Sequence, residues 1–352
     1  MSRRTTAIAA ALSVLALGSP LITACANPLA TNSYDSGIEK GAQGNYQGAI
    51  ADFNQAIEIN PQYTNAYYNR GLAKHYSKDY QGAISDYTKA IEINPQFADA
   101  FNNRGYIKMN SKDYQGAIAD YNKAIEINPQ YAVAYKNRGA VKVDLKDFRG
   151  AISDFNKALE INPQIALAYY NRGVAKSNLK DYQGAIADYD KAIEINPQYA
   201  DSFSNRGVAK SYLGDYQGAI ADHNKSIEIN PKNADAFYNR GNSKNRLGDL
   251  QGAIADYTKA ISFYPQNSIA YINRGITKSK LEDYQGAIAD YNKAISINPQ
   301  NAVAYANRSI LKKKQGDLNG SCSDGKKAAS LGNNQNVRWL NSNNGAWCRN
   351  MQ

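Results

Sequence analysis

Small, aromatic and polar positions follow a pattern that returns every 34 residues. In residues 64–97 the small or aromatic positions include Tyr67, Gly71, Ala83, Tyr87 and Ala90, and the last helical stretch closes on Ile93-Asn94-Pro95. Prolines recur at Pro61, Pro95, Pro129, Pro163, Pro197, Pro231, Pro265 and Pro299. This regularity excludes an ordinary compact domain and predicts a repeat array. Units start at Ala30, Thr64, Ala98, Ala132, Ala166, Ala200, Ala234 and Ser268, and a modified ninth starts at Ala302.

Each unit reads as two helices separated by a tight break. Asp79, Asp113, Asp147, Asp181, Asp215, Asp249 and Asp283 precede runs such as Tyr80-Gln81-Gly82-Ala83-Ile84. A carboxylate there can accept from the free N–H groups of a new helix. The second helix should end at Ile-Asn-Pro, since proline restricts the residue before it and cannot continue the ladder. Gly71, Gly105, Gly139, Gly173, Gly207, Gly241 and Gly275 fall mid-helix, where glycine costs about 1 kcal/mol relative to alanine unless packing requires it. We expect them to admit a close approach of the second helix at Ala83, Ala117, Ala151 and their equivalents. Tyr67, Phe101, Tyr135, Tyr169, Phe203, Phe237 and Tyr271 are expected to fill the seam between units. One such hairpin cannot bury its apolar face alone, whereas a stack can.

Tyr67, Gly71, Ala83, Tyr87, Ala90 and Pro95 stand at the spacings of the tetratricopeptide pattern, and the sequence resembles that family from residue 30 to about 331. The resemblance implies an all-α fold, an α-solenoid superhelix of about nine tandem helix-turn-helix units. Eight units occupy 30–301, a degenerate ninth or capping hairpin 302–331, and a polar tail 332–352. It also implies that first helices line a concave groove, that the array has no catalysis of its own, and that its partners are other proteins or peptides.

One departure from the family pattern stands out. Where leucine and tyrosine are usual in the first helix, this chain has Arg70 and Lys74, Arg104 and Lys108, Arg138 and Lys142, and so on to Arg274 and Lys278. Each unit also carries an acid in its second helix, from Asp86 and Asp120 to Asp290. The simplest account is an Arg–Asp–Lys staple joining the two helices; a basic binding stripe is the alternative.

The formal charge is +10, unevenly placed. Residues 1–26 contribute Arg3 and Arg4, and residues 302–352 hold eight Lys/Arg against Asp317 and Asp324. The body between them is close to neutral, with 31 basic and 29 acidic side chains, so it offers no stripe for displacing counterions from a nucleic acid. Two histidines and three cysteines without ligand spacing give no metal site and no nucleophile–base pair. We expect a non-enzyme without cofactor, metal, nucleic acid or small-molecule substrate.

Residues 1–26 have the layout of an export signal: Arg3 and Arg4, an apolar run from Ala7 to Leu17, then Gly18-Ser19-Pro20 and small residues. The run is too short to span a bilayer. Ile22-Thr23-Ala24-Cys25 resembles a lipoprotein lipobox, which would leave lipid on Cys25, and Ala24-Cys25-Ala26 equally fits ordinary signal cleavage. The expected location is periplasmic, membrane-anchored through Cys25, or secreted.

Specificity should reside where the units differ. One first-helix slot reads Tyr34, Tyr68, Asn102, Lys136, Tyr170, Ser204, Tyr238 and Ile272; another reads Ile38, Leu72, Tyr106, Ala140, Val174, Val208, Asn242 and Ile276. Between them runs an asparagine ladder: Asn69, Asn103, Asn137, Asn171, Asn205, Asn239, Asn273 and Asn307. Amides and tyrosines together suit an extended peptide backbone. The other reading of the ladder is bonding between neighbouring helices. The two-carboxylate clamp of chaperone-binding members of the family is incomplete: Lys136 and Asn171 match, but Ala140, Asp201 and Asn205 do not, and around Asn242 and Asn273 the cations are missing.

The ninth unit keeps Tyr305, Asn307, Arg308 and Lys312 but turns polar in its second helix, as a terminal unit must. In an oxidising compartment Cys322 and Cys348 could join, tying the Trp339 and Trp347 tail to the cap; free or partner-linked thiols are the alternative. Lys312, Lys313, Lys314, Lys326 and Lys327 cluster, either to face an acidic partner or anionic lipid or simply as a solvated surface. His223 replaces an aromatic and is expected to pack; His75 is expected in the groove. The sequence therefore predicts an exported scaffold for polypeptide partners, with an architectural or self-associating spacer as the second reading.

Overall fold

The computed structural model describes residues 28–342 and 345–349. Residues 1–26, read from sequence as an export signal with Cys25, lie outside them. The described residues form twenty helices and no strand, and none of these helices is long and apolar enough to cross a membrane. The chain divides after Pro163 into two compact units. The first holds α1 (Pro28–Ala42), α2 (Tyr46–Ile59), α3 (Thr64–Tyr76), α4 (Tyr80–Ile93), α5 (Ala98–Asn110), α6 (Tyr114–Ile127), α7 (Ala132–Asp144) and α8 (Phe148–Ile161). The second holds α9 (Ala166–Asn178), α10 (Tyr182–Ile195), α11 (Ala200–Tyr212), α12 (Tyr216–Ile229), α13 (Ala234–Leu247) and α14 (Leu250–Phe263). It continues with α15 (Ser268–Lys280), α16 (Tyr284–Ile297), α17 (Ala302–Lys314), α18 (Leu318–Ser330), α19 (Asn334–Asn341) and α20 (Ala346–Arg349). Within each unit, hairpins of consecutive helices stack in chain order, the α-solenoid arrangement.

The boundaries follow from local chemistry. Asp79 Oδ1 accepts from Gly82 N–H at 2.9 Å, and the same bond starts α6, α8, α10, α12, α14, α16 and α18. At the far end Asn94 donates its N–H to Ala90 while its side chain accepts from Gln96 N–H at 3.0 Å. Asparagine before proline thus bonds both sides of the break. The turn inside each hairpin places one residue at positive φ. Gly44, Gly214, Gly248 and Gly316 take it without strain, whereas Lys78, Lys112, Lys146, Lys180 and Glu282 adopt it as non-glycine residues.

Core packing explains the mid-helix glycines differently from the expectation. A Cβ on Gly71 would lie 2.8 Å from Tyr87 Cε1, and one on Gly139 would lie 2.8 Å from Phe155 Cε1. The nearest atoms are chiefly those of the second helix's ring, together with an aspartate Cβ at Gly71 and Gly105 or an alanine carbonyl at Gly207, Gly241 and Gly275. The first-helix aromatics also do more than fill a seam. Each carries an arginine over its face, from Arg70 over Tyr67 at 5.2 Å to Arg308 over Tyr305 at 5.5 Å.

Those arginines form the staple. Asp86, almost wholly buried, receives Arg70 Nη2 at 2.6 Å and Lys74 Nζ at 2.8 Å. The arrangement repeats around Asp120, Asp154, Asp188, Asp222, Asp256, Asp290 and Asp324. The third arm is legible only in three dimensions. Arg70 Nη1 reaches back to Asn54 at 2.7 Å and Arg138 Nη1 to Asn122 at 2.6 Å, in the second helix of the preceding hairpin. Thr88, Asp190, Asn224, Thr258 and Asn292 serve in the same way. Each of these seven guanidiniums therefore ties three helices. In the first hairpin Ser36 stands where arginine stands elsewhere, and Asp52 is held by Ser36 and Lys40, both at 2.6 Å.

The segment expected as a polar tail carries α19 and α20. Cys322 and Cys348 are joined, with Cα atoms 5.3 Å apart, and Trp339 meets Trp347 edge-on at 5.8 Å.

Candidate functional site

The asparagine ladder is largely committed inside the array. Asn69 donates to Tyr34 Oη at 2.8 Å, Asn103 to Tyr68 Oη at 2.9 Å and Asn205 to Tyr170 Oη at 3.0 Å. Asn137 donates to Asn102 at 3.0 Å, and Asn273 to both Tyr238 Oη and Asn242 at 3.0 Å. The physical reason is the offset of 35 residues, which sets each asparagine against the variable slot of the preceding first helix. Each of these five amides thus has at least one N–H bonded to the preceding first helix, the structural role that the second reading of the ladder expects.

Burial raises the phenol of Tyr68 and pushes that of Tyr170 up to about 12, so both stay neutral and keep O–H donors. Asn171 and Asn239 are half-buried on α9 and α13. For Asn239 and Asn307 the residue at the same offset is Ser204 or Ile272, and neither is a tyrosine or an amide. Lys136 is half-buried on α7, and burial lowers its pKa.

Two open furrows lie between successive first helices of the second unit. One, of about 150 Å³, lies between α9 and α11 and is lined by Val174, Ser177, Asn178, Asn205 and Val208, with Tyr189 of α10 against it. The other, of about 230 Å³, lies between α15 and α17 and is lined by Ile276, Ser279, Lys280, Asn307 and Ile310, with Tyr291 of α16. The two are one position in the repeat, three units apart. One wall offers residues i, i+3 and i+4 of a first helix and the other offers i and i+3 of the next, which is how two helix faces meet. Apolar walls with a few hydroxyl and amide groups suit one side chain of an extended chain.

At three other positions in the array side chains occupy the same furrow. Between α3 and α5 the ring of His75 stacks on Tyr106 at 5.7 Å. Between α13 and α15 a polar network occupies it: Tyr257 Oη donates to Asn242 at 2.9 Å, Asn245 bonds Thr277, and Lys280 Nζ donates to Asn245 at 2.7 Å. Between α11 and α13, Ser211 bonds Ser243 at 2.9 Å. Sequence reasoning named the slot of Val174, Val208 and Ile276 and the amide of Asn205. It missed Ser177, Asn178, Ser279 and Lys280, whose signal was their i+3 and i+4 spacing from that slot.

His223 occupies the slot of Tyr189 and Tyr291 but is fully buried, with neither ring nitrogen bonded. Burial pushes its pKa down to about 4. Ser202 and Ser226 are also fully buried in this hairpin, where most units have alanine.

Stacked hairpins with side-chain furrows between their first helices define a protein–protein interaction scaffold. A family model for the tetratricopeptide repeat matches residues 64–97, 98–131, 132–165, 166–199, 234–267 and 268–301. Further models described as TPR repeat and tetratricopeptide repeat match 42–78, 212–248 and 188–221. The chain belongs to the tetratricopeptide repeat family. No curated protein matches it.

Among solved structures it is similar to a tetratricopeptide repeat protein from Parabacteroides merdae, with 21% identity over 72% of this chain and 99% of that one and a TM-score of 0.54. It is also similar to pilF of Pseudomonas aeruginosa, with 19% identity, 59% and 95% coverage and a TM-score of 0.54. A third likeness is to the APC/C hetero-tetramer Cut9-Hcn1, with 14% identity, 89% and 75% coverage and a TM-score of 0.56. These likenesses are of fold.

Proposed function

We propose that this protein is a non-catalytic scaffold, exported to the cell envelope, that binds extended polypeptide segments by inserting side chains into the furrows between first helices. The observation that carries this reading is the pair of open furrows in one repeat register, apolar-walled and edged by Ser177 and Asn205 in one and by Ser279 and Asn307 in the other. Tethering through lipid on Cys25 belongs to the same proposal.

Val208→Arg and Ile310→Arg each place a long charged side chain over one furrow. Binding of the pair variant to a 12-residue peptide array should fall to background while its helical circular dichroism is unchanged. Retained binding would remove the furrows from the account. Intact-mass measurement of the mature N-terminus tests the tether: an acylated Cys25 supports it, and a chain starting after Cys25 removes it.

The second reading, an architectural spacer, draws on the asparagine ladder, in which five amides each donate to the preceding first helix. It expects unchanged peptide binding in the furrow variant, with self-association instead altered by substitutions at the terminal hairpins.

A further inference from the structure

The two open furrows differ in charge. Residues 28–233 carry 23 basic and 23 acidic side chains, whereas residues 234–331 carry 14 basic and eight acidic. Part of this excess is ordered by the repeat. The slot occupied by Asn110, Asp144, Asn178 and Tyr212 in earlier units becomes Arg246, Lys280 and Lys314 in the last turns of α13, α15 and α17. All three are exposed. Asn178 edges the α9/α11 furrow, and Lys280 edges the α15/α17 furrow at the same place.

The helix termini do not require these cations. Lys244, Lys278 and Lys312 already stand in the same last turns, bonded to Asp256, Asp290 and Asp324. Among the described residues Arg246, Lys280 and Lys314 form no ion pair. Lys280 donates to Asn245 at 2.7 Å and Lys314 to Tyr284 Oη at 3.3 Å, which positions each ammonium without neutralising it and leaves two N–H donors on each. The acids closest in sequence, Asp249, Asp283 and Asp317, accept from helix N–H groups as caps, and Glu282 sits on the α15–α16 turn. Beside the cations the furrow offers Ile276 and Ile310, the latter 59% exposed.

We infer that the α15/α17 furrow docks an acidic peptide segment: an aliphatic side chain enters between Ile276 and Ile310, and carboxylates before and after it meet Arg246, Lys280 and Lys314. This rests on the reading of the furrows as peptide sites and names the occupant of one of them. The charge of the rim selects the partner and speeds its arrival, while the apolar anchor supplies the residence time.

The test is fluorescence anisotropy with three fluorescein-labelled 12-residue peptides: one leucine among Glu, Ser and Gly; the same with Lys for Glu; and the acidic peptide with Ser for Leu. The protein is compared with an Arg246→Asn/Lys280→Asn/Lys314→Asn variant, asparagine being the residue this slot already holds at Asn110 and Asn178. The acidic leucine peptide should bind at least about tenfold tighter than either control, more weakly as salt rises, and without charge preference in the variant. Equal binding of the acidic and basic peptides, with both lost in Ile310→Arg, overturns the inference and leaves the furrow reading standing. Failure of all three peptides to bind overturns both. Binding to phosphatidylglycerol vesicles that the triple variant abolishes, with its peptide preference intact, assigns the cations to lipid and also overturns the inference.

Discussion

The carboxylate of Asp154 is 3% exposed and holds three donors: Arg138 Nη2 at 2.6 Å, Arg138 Nε at 2.9 Å and Lys142 Nζ at 2.7 Å. Asp154→Ala leaves two cations facing each other across the α7/α8 hairpin with no anion between them. Breaking a fully buried pair costs about 3–5 kcal/mol. The Arg138 and Lys142 side chains are 18% and 22% exposed, so both can turn partly to water, which reduces the cost to about 2–3 kcal/mol.

Replacing all three groups together, as Asp154→Leu/Arg138→Met/Lys142→Met, removes the stranded charge and should return stability to within about 1 kcal/mol of the starting protein. Repeat arrays unfold by parts, so the readout is amide hydrogen exchange resolved to α7 and α8. Exchange there should accelerate about 30- to 150-fold in Asp154→Ala and largely recover in the triple variant. Acceleration of less than about threefold in the single variant refutes the staple as a source of stability. A triple variant no better than the single one refutes the stranded-charge explanation.

Gly139→Ala should destabilise by about 1–3 kcal/mol, because its Cβ would lie 2.8 Å from the buried Phe155 ring; thermal denaturation showing a gain, as for an exposed helix glycine, contradicts this. The neutral His223 makes α11/α12 sensitive to acid. Its pKa of about 4 lies below the ordinary 6.5, so the unfolded chain takes up the proton first, and stability falls between pH 6.5 and 4 by about 3 kcal/mol. His223→Phe, copying Phe155 in the same slot, should flatten that part of the pH–stability curve, and an unchanged slope contradicts the assignment. Reducing Cys322–Cys348, which closes a separation of 26 residues, should cost about 3 kcal/mol and speed exchange in α18 and α19 while leaving α1–α8 unaffected. Uniform acceleration would refute a local role.

The hairpins were legible because every local signal agreed with the period. Asp79 and its equivalents start a helix, Asn94-Pro95 and its equivalents end one, and the Arg70–Asp86–Lys74 pairing follows from charge and spacing. The third arm of the arginine was not legible, since Asn54, Thr88 and Asp190 differ in type and share only a position. The asparagine ladder was visible but ambiguous: an amide can bond a peptide or a neighbouring tyrosine, and only the offset of the stacked helices decides between Asn69 serving Tyr34 and Asn69 serving a partner. Which furrows stay open depends on what fills them. His75 against Tyr106 and Asn242 against Asn273 close theirs, and the residues that do so look no different in sequence from residues that would line an open site. The cation row was only partly legible: Lys314 belongs to the basic cluster of the ninth unit, whereas Arg246 and Lys280 are masked by the near-neutral total of the body and stand out only as a repeat slot.

Photo-crosslinking measures the furrow reading directly. A benzophenone side chain placed at Val208 or Ile310, on the walls of the two open furrows, is compared with one at Lys191 or Lys259 on the second helices. Capture of a bound polypeptide from the furrow positions, and not from the second-helix positions, is the predicted result. Capture from Lys191 and Lys259 alone would contradict it.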